Sequence, residues 1–117
     1  MNERVIAVIP AFNEAGLIGD VIARARQHAA EVVVIDDGSS DETGNVARAA
    51  GATVLRHEQN RGKGASIITG LEYFGRSGAE FAVFLDADGQ HDPAEIPAFV
   101  ETARRAGAGI VVGTRMS

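Results

Sequence analysis

The chain has 117 residues, a formal net charge of -5, no cysteine, scarce aromatics and 14 glycines. That length supports one domain around one core, and small residues in such number favour helices packed closely on a sheet. The missing thiols exclude disulfides and thiolate metal sites and fit a reducing compartment, while the acidic balance argues against a nucleic-acid partner, whose phosphates are bound mainly by clustered Lys and Arg.

No apolar run approaches the ~20 residues that cross a bilayer, and the start of the chain lacks the form of a signal peptide, so a soluble cytoplasmic protein is expected. Val5 to Pro10 is continuously apolar, as in a strand buried on both faces, and leads into Ala11-Phe12-Asn13-Glu14. Asn13 is placed equally well to cap the next helix or to face a ligand, and Glu14 falls in the first helical turn, where negative charge is favourable. Leu17, Ile18, Val21, Ile22 and Ala25 then repeat at helical spacing.

Val32 to Ile35 predicts the second strand, followed by Asp36-Asp37-Gly38-Ser39-Ser40-Asp41-Glu42. Two adjacent carboxylates at a strand end are costly unless donors are shared, so one is expected to serve the loop and the other, Asp37, to accept hydrogen bonds from a ribose or a base. Ser39 to Glu42 has the Ser-x-x-Glu form of a capping box, for a helix carrying Val46, Ala47 and Ala50 and stopped at Gly51.

A weaker strand, Thr53 to Arg56, precedes His57 to Lys63. Within it, Asn60-Arg61-Gly62-Lys63-Gly64-Ala65 is glycine-rich, basic and opens a helix marked by Ile67, Ile68, Leu71 and Phe74, so its N–H groups and Lys63 suit a phosphate. Arg56, Arg61 and Lys63 form a local basic patch for a small anion. The spacing is not that of a Walker A motif, and no Gly-x-Gly-x-x-Gly follows the first strand, which argues against a P-loop ATPase and a nicotinamide enzyme.

Phe81 to Leu85 predicts a fourth buried strand, and Asp86-Ala87-Asp88-Gly89-Gln90-His91-Asp92-Pro93 follows it. In extended backbone alternate side chains share a face, so Asp86, Asp88 and Gln90 are expected to converge as oxygen ligands for Mg²⁺ or Mn²⁺. Such an ion would let an acidic chain accept a diphosphate; an acidic surface turn is the plainer reading of the same residues. His91 suits the metal shell, a substrate contact or a structural hydrogen bond. Pro93 fits a first helical position, but Pro97 would clash with the carbonyl four residues earlier, which predicts a turn over 92–96 and a helix from Pro97 carrying Phe99, Val100 and Ala103. Ile110 to Val112 is the fifth strand, before Gly113-Thr114-Arg115.

Strands alternating with helices predict an α/β fold: an open, mostly parallel sheet of about five strands with helices on both faces, and a ligand crevice where the loops after the strands meet. An uncovered edge or face at the last strand is expected to favour a homodimer.

Taken together, Ile9-Pro10-Ala11-Phe12-Asn13-Glu14, Val34 to Thr43, Asn60-Arg61-Gly62-Lys63-Gly64, Asp86 to Pro93 and Gly113-Thr114-Arg115 resemble the family 2 glycosyltransferases of GT-A fold, most closely the dolichol-phosphate mannose synthase-like group. The resemblance runs through the whole chain in order. It implies the Rossmann-like, nucleotide-binding half of that fold, and metal-dependent, inverting transfer of a sugar from a UDP- or GDP-linked donor to an acceptor. The implied acceptor is a polyprenyl phosphate at a membrane surface, hence a peripheral position at the cytoplasmic membrane face.

By the same resemblance Pro10, Ala11, Asn13, Glu14, Asp37, Lys63, Asp86 and Ala87 line the nucleotide site, Asp86, Asp88 and Gln90 hold Mg²⁺ or Mn²⁺, and Arg115 contacts the acceptor phosphate. No catalytic base is assigned. Members usually continue past Gly-Thr-Arg into the acceptor side, so the chain is expected to be a single domain shortened at its C-terminal side that binds nucleotide weakly and turns over slowly or not at all. Two rival readings are a non-catalytic nucleotide-binding module that needs a partner and, more remotely, a phospho-accepting receiver domain. The latter expects an acidic pair after the first strand and a lysine after the fifth, where this chain has Pro10-Ala11 and Arg115.

Overall fold

The computed structural model describes residues 4–88 and 92–112. The apolar runs form strands β1 (Val5–Ala11), β2 (Glu31–Asp37), β3 (Thr53–His57), β4 (Phe81–Phe84) and β5 (Ile110–Val112), and the helically spaced segments form α1 (Ala15–Ala25), α2 (Thr43–Ala49), α3 (Lys63–Ser77) and α4 (Ile96–Ala106). All strand pairs are parallel and the sheet order is β3-β2-β1-β4-β5. The chain winds outward from β1 to β3, then crosses back to β4 and winds the other way. The reversal lies between β1 and β4, which in such sheets opens a crevice at the carboxyl ends of the strands.

Strands β1, β2 and β3 run further than their sequence pattern, β3 by one residue to His57. Pairing in β1 and β2 continues to Ala11 and Asp37, with Asp36 opposite Ala11 and Arg56 and with Asp37 opposite His57. The acidic pair therefore belongs to the strand and not to the loop after it. β4 is shorter than predicted: Leu85 leaves the ladder, although its N–H still reaches Val8 O at 2.9 Å and its side chain stays buried.

The sheet has unequal covers. On one face Ala7, Ile9, Val32, Val34, Val83 and Leu85 pack under Ile18, Val21, Ile22 and Ala25 of α1, Ala47 of α2, and Ile96, Val100 and Ala103 of α4. On the other, among the described residues, Ile6, Val8, Val33, Ile35, Ala82 and Phe84 meet Ile67, Leu71, Tyr73 and Phe74 of α3, with Ala79 just beyond it. Two residues assigned to helix stripes point outward instead: Leu17 and Ile68 are exposed, because the stripes of α1 and α3 are narrower than their apolar content.

Close seating of α3 depends on Gly70. A Cβ there would stand 2.7 Å from Val8 Cγ1 and 2.9 Å from Phe84 Cε2. Gly70→Ala is expected to overpack this face and lower stability by ~1–3 kcal/mol, read as a fall in the urea midpoint. Gly75→Ala on the same helix is the control: its methyl meets nothing within 4 Å, so the gain in helix propensity should leave the midpoint unchanged or raised.

Pro97 acts much as its steric demand predicts. Pro93–Glu95 form one 3₁₀ turn capped by Asp92, whose carboxylate accepts the Ala94 N–H, and α4 begins at Ile96, so the proline falls in its first turn. Arg24 Nη2 also holds Asp92, at 2.7 Å. At the opposite end of the sheet Glu31 collects Arg4, Thr53 and Tyr73, and that carboxylate, with burial, raises the Tyr73 phenol above its ordinary value. Among the described residues no helix is long and apolar enough to cross a membrane.

Candidate functional site

The loops after β1 and β2 are knitted into one unit. Asn13 adopts a left-handed backbone, φ 53°, a conformation asparagine tolerates better than most residues. Its N–H donates to Ser39 Oγ (2.9 Å) and its side-chain carbonyl accepts from Ser40 N–H (2.9 Å). The next two N–H groups, of Glu14 and Ala15, donate to Thr43 Oγ1 (2.9 Å) and Asp41 Oδ2 (3.3 Å). The start of α1 is thus capped by side chains from the β2–α2 loop and from Thr43, the first residue of α2.

This arrangement corrects two expectations. Asn13 does not cap α1, whose N-cap position is Glu14 with no side-chain bond. Ser39 and Glu42 do not form a capping box either: Glu42 stands at the N-cap of α2 without a cap bond, Ser39 faces Asn13, and Asp41 takes the Thr43 N–H at 2.9 Å. Hydrogen bonds from the Thr43 hydroxyl and N–H, with that of Ala15, hold the Asp41 carboxyl below its ordinary value against a smaller desolvation effect. Gly51 does end α2, through Gly51 N–H to Arg48 O and Ala52 N–H to Ala47 O.

Asp36 and Asp37 point to opposite faces and divide their duties. Asp36 is fully buried and binds Arg56 Nη1 (2.6 Å) and Ser39 N–H (3.1 Å), while Arg56 Nη2 donates to Ser39 O (3.0 Å). The predicted basic patch is therefore split, because Arg56 is committed to Asp36 across the sheet from Lys63. Asp37 accepts His57 Nδ1–H (2.7 Å) and Arg61 N–H (2.9 Å) on one oxygen and Gly62 N–H (2.9 Å) on the other. Burial alone would raise its pKa, but the His57 bond and the two backbone donors together outweigh that and keep it below the ordinary value. An ionised carboxylate only accepts, so His57 Nδ1 carries the proton; Nε2 lies 2.8 Å from Thr69 Oγ1.

Asp37 thus organises the loop before α3 as well as facing the crevice. Sequence reading took His57 as the start of a loop. Its alternation with Leu55 on β3 was the available signal, since both lie on the α3 side of the sheet. Gly38, φ 73°, lets the two loops touch: a Cβ there would lie 2.5 Å from Asn60 N and from Gln59 C.

At the reversal between β1 and β4 the crevice forms a cavity of about 430 Å³. Of the predicted nucleotide residues, Pro10, Ala11, Glu14, Asp37, Lys63, Asp86 and Ala87 line it, together with Asp88. Asn13 does not; its carbonyl is committed to the β2–α2 loop. Phe12, Asn60, Gly62 and Ser66 complete the wall. Asn60 and Gly62 belong to the basic motif already singled out, whereas Phe12 and Ser66 gave no chemical signal. Gln90, His91 and Arg115 lie outside the described residues.

Among the described residues the cavity wall presents the carboxylates of Glu14, Asp37, Asp86 and Asp88 against the ammonium of Lys63. The two aspartates after β4 meet there through a turn, not through strand alternation: β4 ends at Phe84, and Ala87 and Asp88 are in the turn. Lys63 Nζ lies 2.6 Å from Asp86 Oδ1. Among the described residues no group of three or more His, Cys, Asp or Glu is poised to hold a metal. Two hard carboxylates nevertheless fit Mg²⁺ or Mn²⁺, which commonly takes one or two from protein and the rest of its shell from phosphate and water.

An open parallel sheet with its cavity at the strand-order reversal defines a doubly wound α/β protein. Residues 6–117 match the model of the family described as Glycosyl transferase family 2. The chain is 31% identical over 133 residues to a UDP-N-acetylglucosamine--dolichyl-phosphate N-acetylglucosaminyltransferase of Methanococcus voltae, covering 98% of this chain and 53% of that protein. It is 34% identical over 119 residues to an undecaprenyl-phosphate mannosyltransferase of Micrococcus luteus, covering 96% and 48%. Among solved structures, glucosyl-3-phosphoglycerate synthase from Mycobacterium tuberculosis, in complex with Mn²⁺, uridine-diphosphate-glucose and phosphoglyceric acid, superposes with a TM-score of 0.72 at 29% identity, covering 86% of this chain and 39% of that one. The chain belongs to glycosyl transferase family 2 and has the GT-A type of sheet. It spans about half the length of the curated relatives it matches.

Proposed function

We propose that this chain binds the nucleotide-sugar donor of a metal-dependent, inverting glycosyl transfer whose acceptor is a polyprenyl phosphate. The observation that carries the reading is the gathering of Pro10, Ala11, Glu14, Asp37, Lys63, Asp86, Ala87 and Asp88, from four separate segments of the chain, around one cavity at the switch point of the sheet. Relatives named for transfer to dolichyl and undecaprenyl phosphates support the acceptor class, and a neighbour solved with Mn²⁺ and a uridine-diphosphate sugar supports the donor class.

In this reading Asp37, fixed by His57 and the loop N–H groups, presents a fixed carboxylate to the nucleoside, and Lys63 supplies positive charge toward the diphosphate. Asp86 and Asp88 would hold Mg²⁺ or Mn²⁺, whose chemistry is neutralisation of the charge that develops on the departing nucleoside diphosphate. An acceptor phosphate is already anionic and attacks without a protein base. Approach from the face opposite the leaving group inverts the anomeric carbon, and a lipid-linked acceptor puts the protein peripherally at a membrane surface.

The test is a thermal-shift series with UDP and GDP at about millimolar concentration, with and without Mn²⁺. A Mn²⁺-dependent rise of roughly 3–6 °C for one of the two bases is expected, corresponding to a ligand at about tenfold its Kd. No shift with either nucleotide in the presence of Mn²⁺ would overturn the assignment.

A further inference from the structure

We propose that Lys63 competes with the divalent cation for Asp86 and thereby makes cation binding depend on the donor's diphosphate. The inference rests on the donor-site reading above and adds an order to it. Lys63 Nζ stands 2.6 Å from Asp86 Oδ1, joining the first residue of α3 to the residue two places past β4. The pair is asymmetric: the lysine side chain is 64% exposed and the aspartate 27%. The lysine is the partner free to swing on its four-carbon stem, while the carboxylate stays at the cavity wall.

Position on the helix gives a second reason. Lys63 opens α3, where the exposed N–H groups carry the positive end of the helix dipole, and no acidic residue stands in that first turn. Asp37 already answers the N-cap N–H of Gly62, so the Lys63 ammonium itself turns to other anions. The fold offers Asp86, and the cavity offers a diphosphate. A divalent ion on Asp86 would repel an ammonium held at the same oxygen, so the ammonium must move as the ion arrives. With a diphosphate in the cavity it moves to phosphate oxygens; without one it returns to water and gains no new anion. Cation and diphosphate then favour each other, and by linkage each raises the affinity of the other by the same factor.

Mn²⁺ titrations followed by electron paramagnetic resonance, with and without UDP and in parallel GDP, test this on the wild type, Lys63→Met, Lys63→Arg and Asp86→Asn, with circular dichroism to show the fold intact. Lys63→Met is expected to tighten Mn²⁺ binding to the nucleotide-free protein by about tenfold and to shrink the nucleotide-induced gain by a similar factor. Lys63→Arg keeps the charge and should retain the wild-type dependence. Unchanged or weaker Mn²⁺ binding by nucleotide-free Lys63→Met overturns the competition. Asp86→Asn separates the two levels: if it leaves Mn²⁺ affinity intact, the metal-site reading itself fails, whereas a loss there without the Lys63→Met gain removes the coupling alone.

Discussion

Asp37→Ala should lower stability by about 3 kcal/mol, a fall in Tm of roughly 10–20 °C for a domain of this size. The substitution strips the acceptor from His57 Nδ1 and from the Arg61 and Gly62 N–H groups together, in a side chain almost wholly buried. Removing one member of a buried, hydrogen-bonded pair costs more than the pair contributes, because its partners are left without acceptors. The acid limb gives an independent readout. The folded Asp37 pKa lies below its ordinary value of 3.8, so its contribution is complete above that value and is lost as pH falls through the lower, folded one. Asp37→Asn should therefore show a shallower loss of stability in that acid range. A melting temperature within about 2 °C of wild type for Asp37→Ala would refute this organising role.

Replacing Asp86 and Asp88 together by asparagine is expected to weaken nucleotide binding in Mn²⁺ by about 100-fold or more and to abolish its dependence on the ion. Loss of groups that merely orient metal ligands already costs about 10–100-fold, and these two are assigned as the ligands themselves. Asparagine keeps the volume of both side chains, and circular dichroism checks that the fold is retained. The Lys63–Asp86 pair is solvent-screened and worth ~0–1 kcal/mol to stability. Calorimetry with and without a chelator distinguishes the outcomes: retained affinity with retained ion dependence would put the diphosphate elsewhere on the protein.

The architecture was legible because it is written locally. Continuous apolar runs separated by stripes of period 3.6 dictate buried strands and covering helices, and the alternation of the two dictates parallel pairing. The site was legible to the extent that a crevice must form at the strand ends, where Pro10, Ala11, Glu14, Asp37, Lys63, Asp86, Ala87 and Asp88 come together. Misreadings fell where a short-range rule met a long-range partner. Ser39-x-x-Glu42 has the composition of a self-contained cap, but its hydroxyl answers Asn13, 26 residues earlier. Arg56 looks like part of a phosphate patch until Asp36, one strand away, claims it at 2.6 Å. His57 gains its partners only once β2, β3 and α3 are assembled. Hydrogen-bond identity in loops depends on which loops become neighbours, and that information resides in the sheet order.

The capping of α1 by Ser39, Asp41 and Thr43 has a consequence for anyone recombining this protein with its relatives. The segment 38–43 looks transplantable as a surface turn, yet moving it alone would strip three amides at the mouth of the first crossover in the recipient. A viable chimera has to carry residues 12–15 and 38–43 as one cassette, with a crossover point either before the first strand or beyond the second helix.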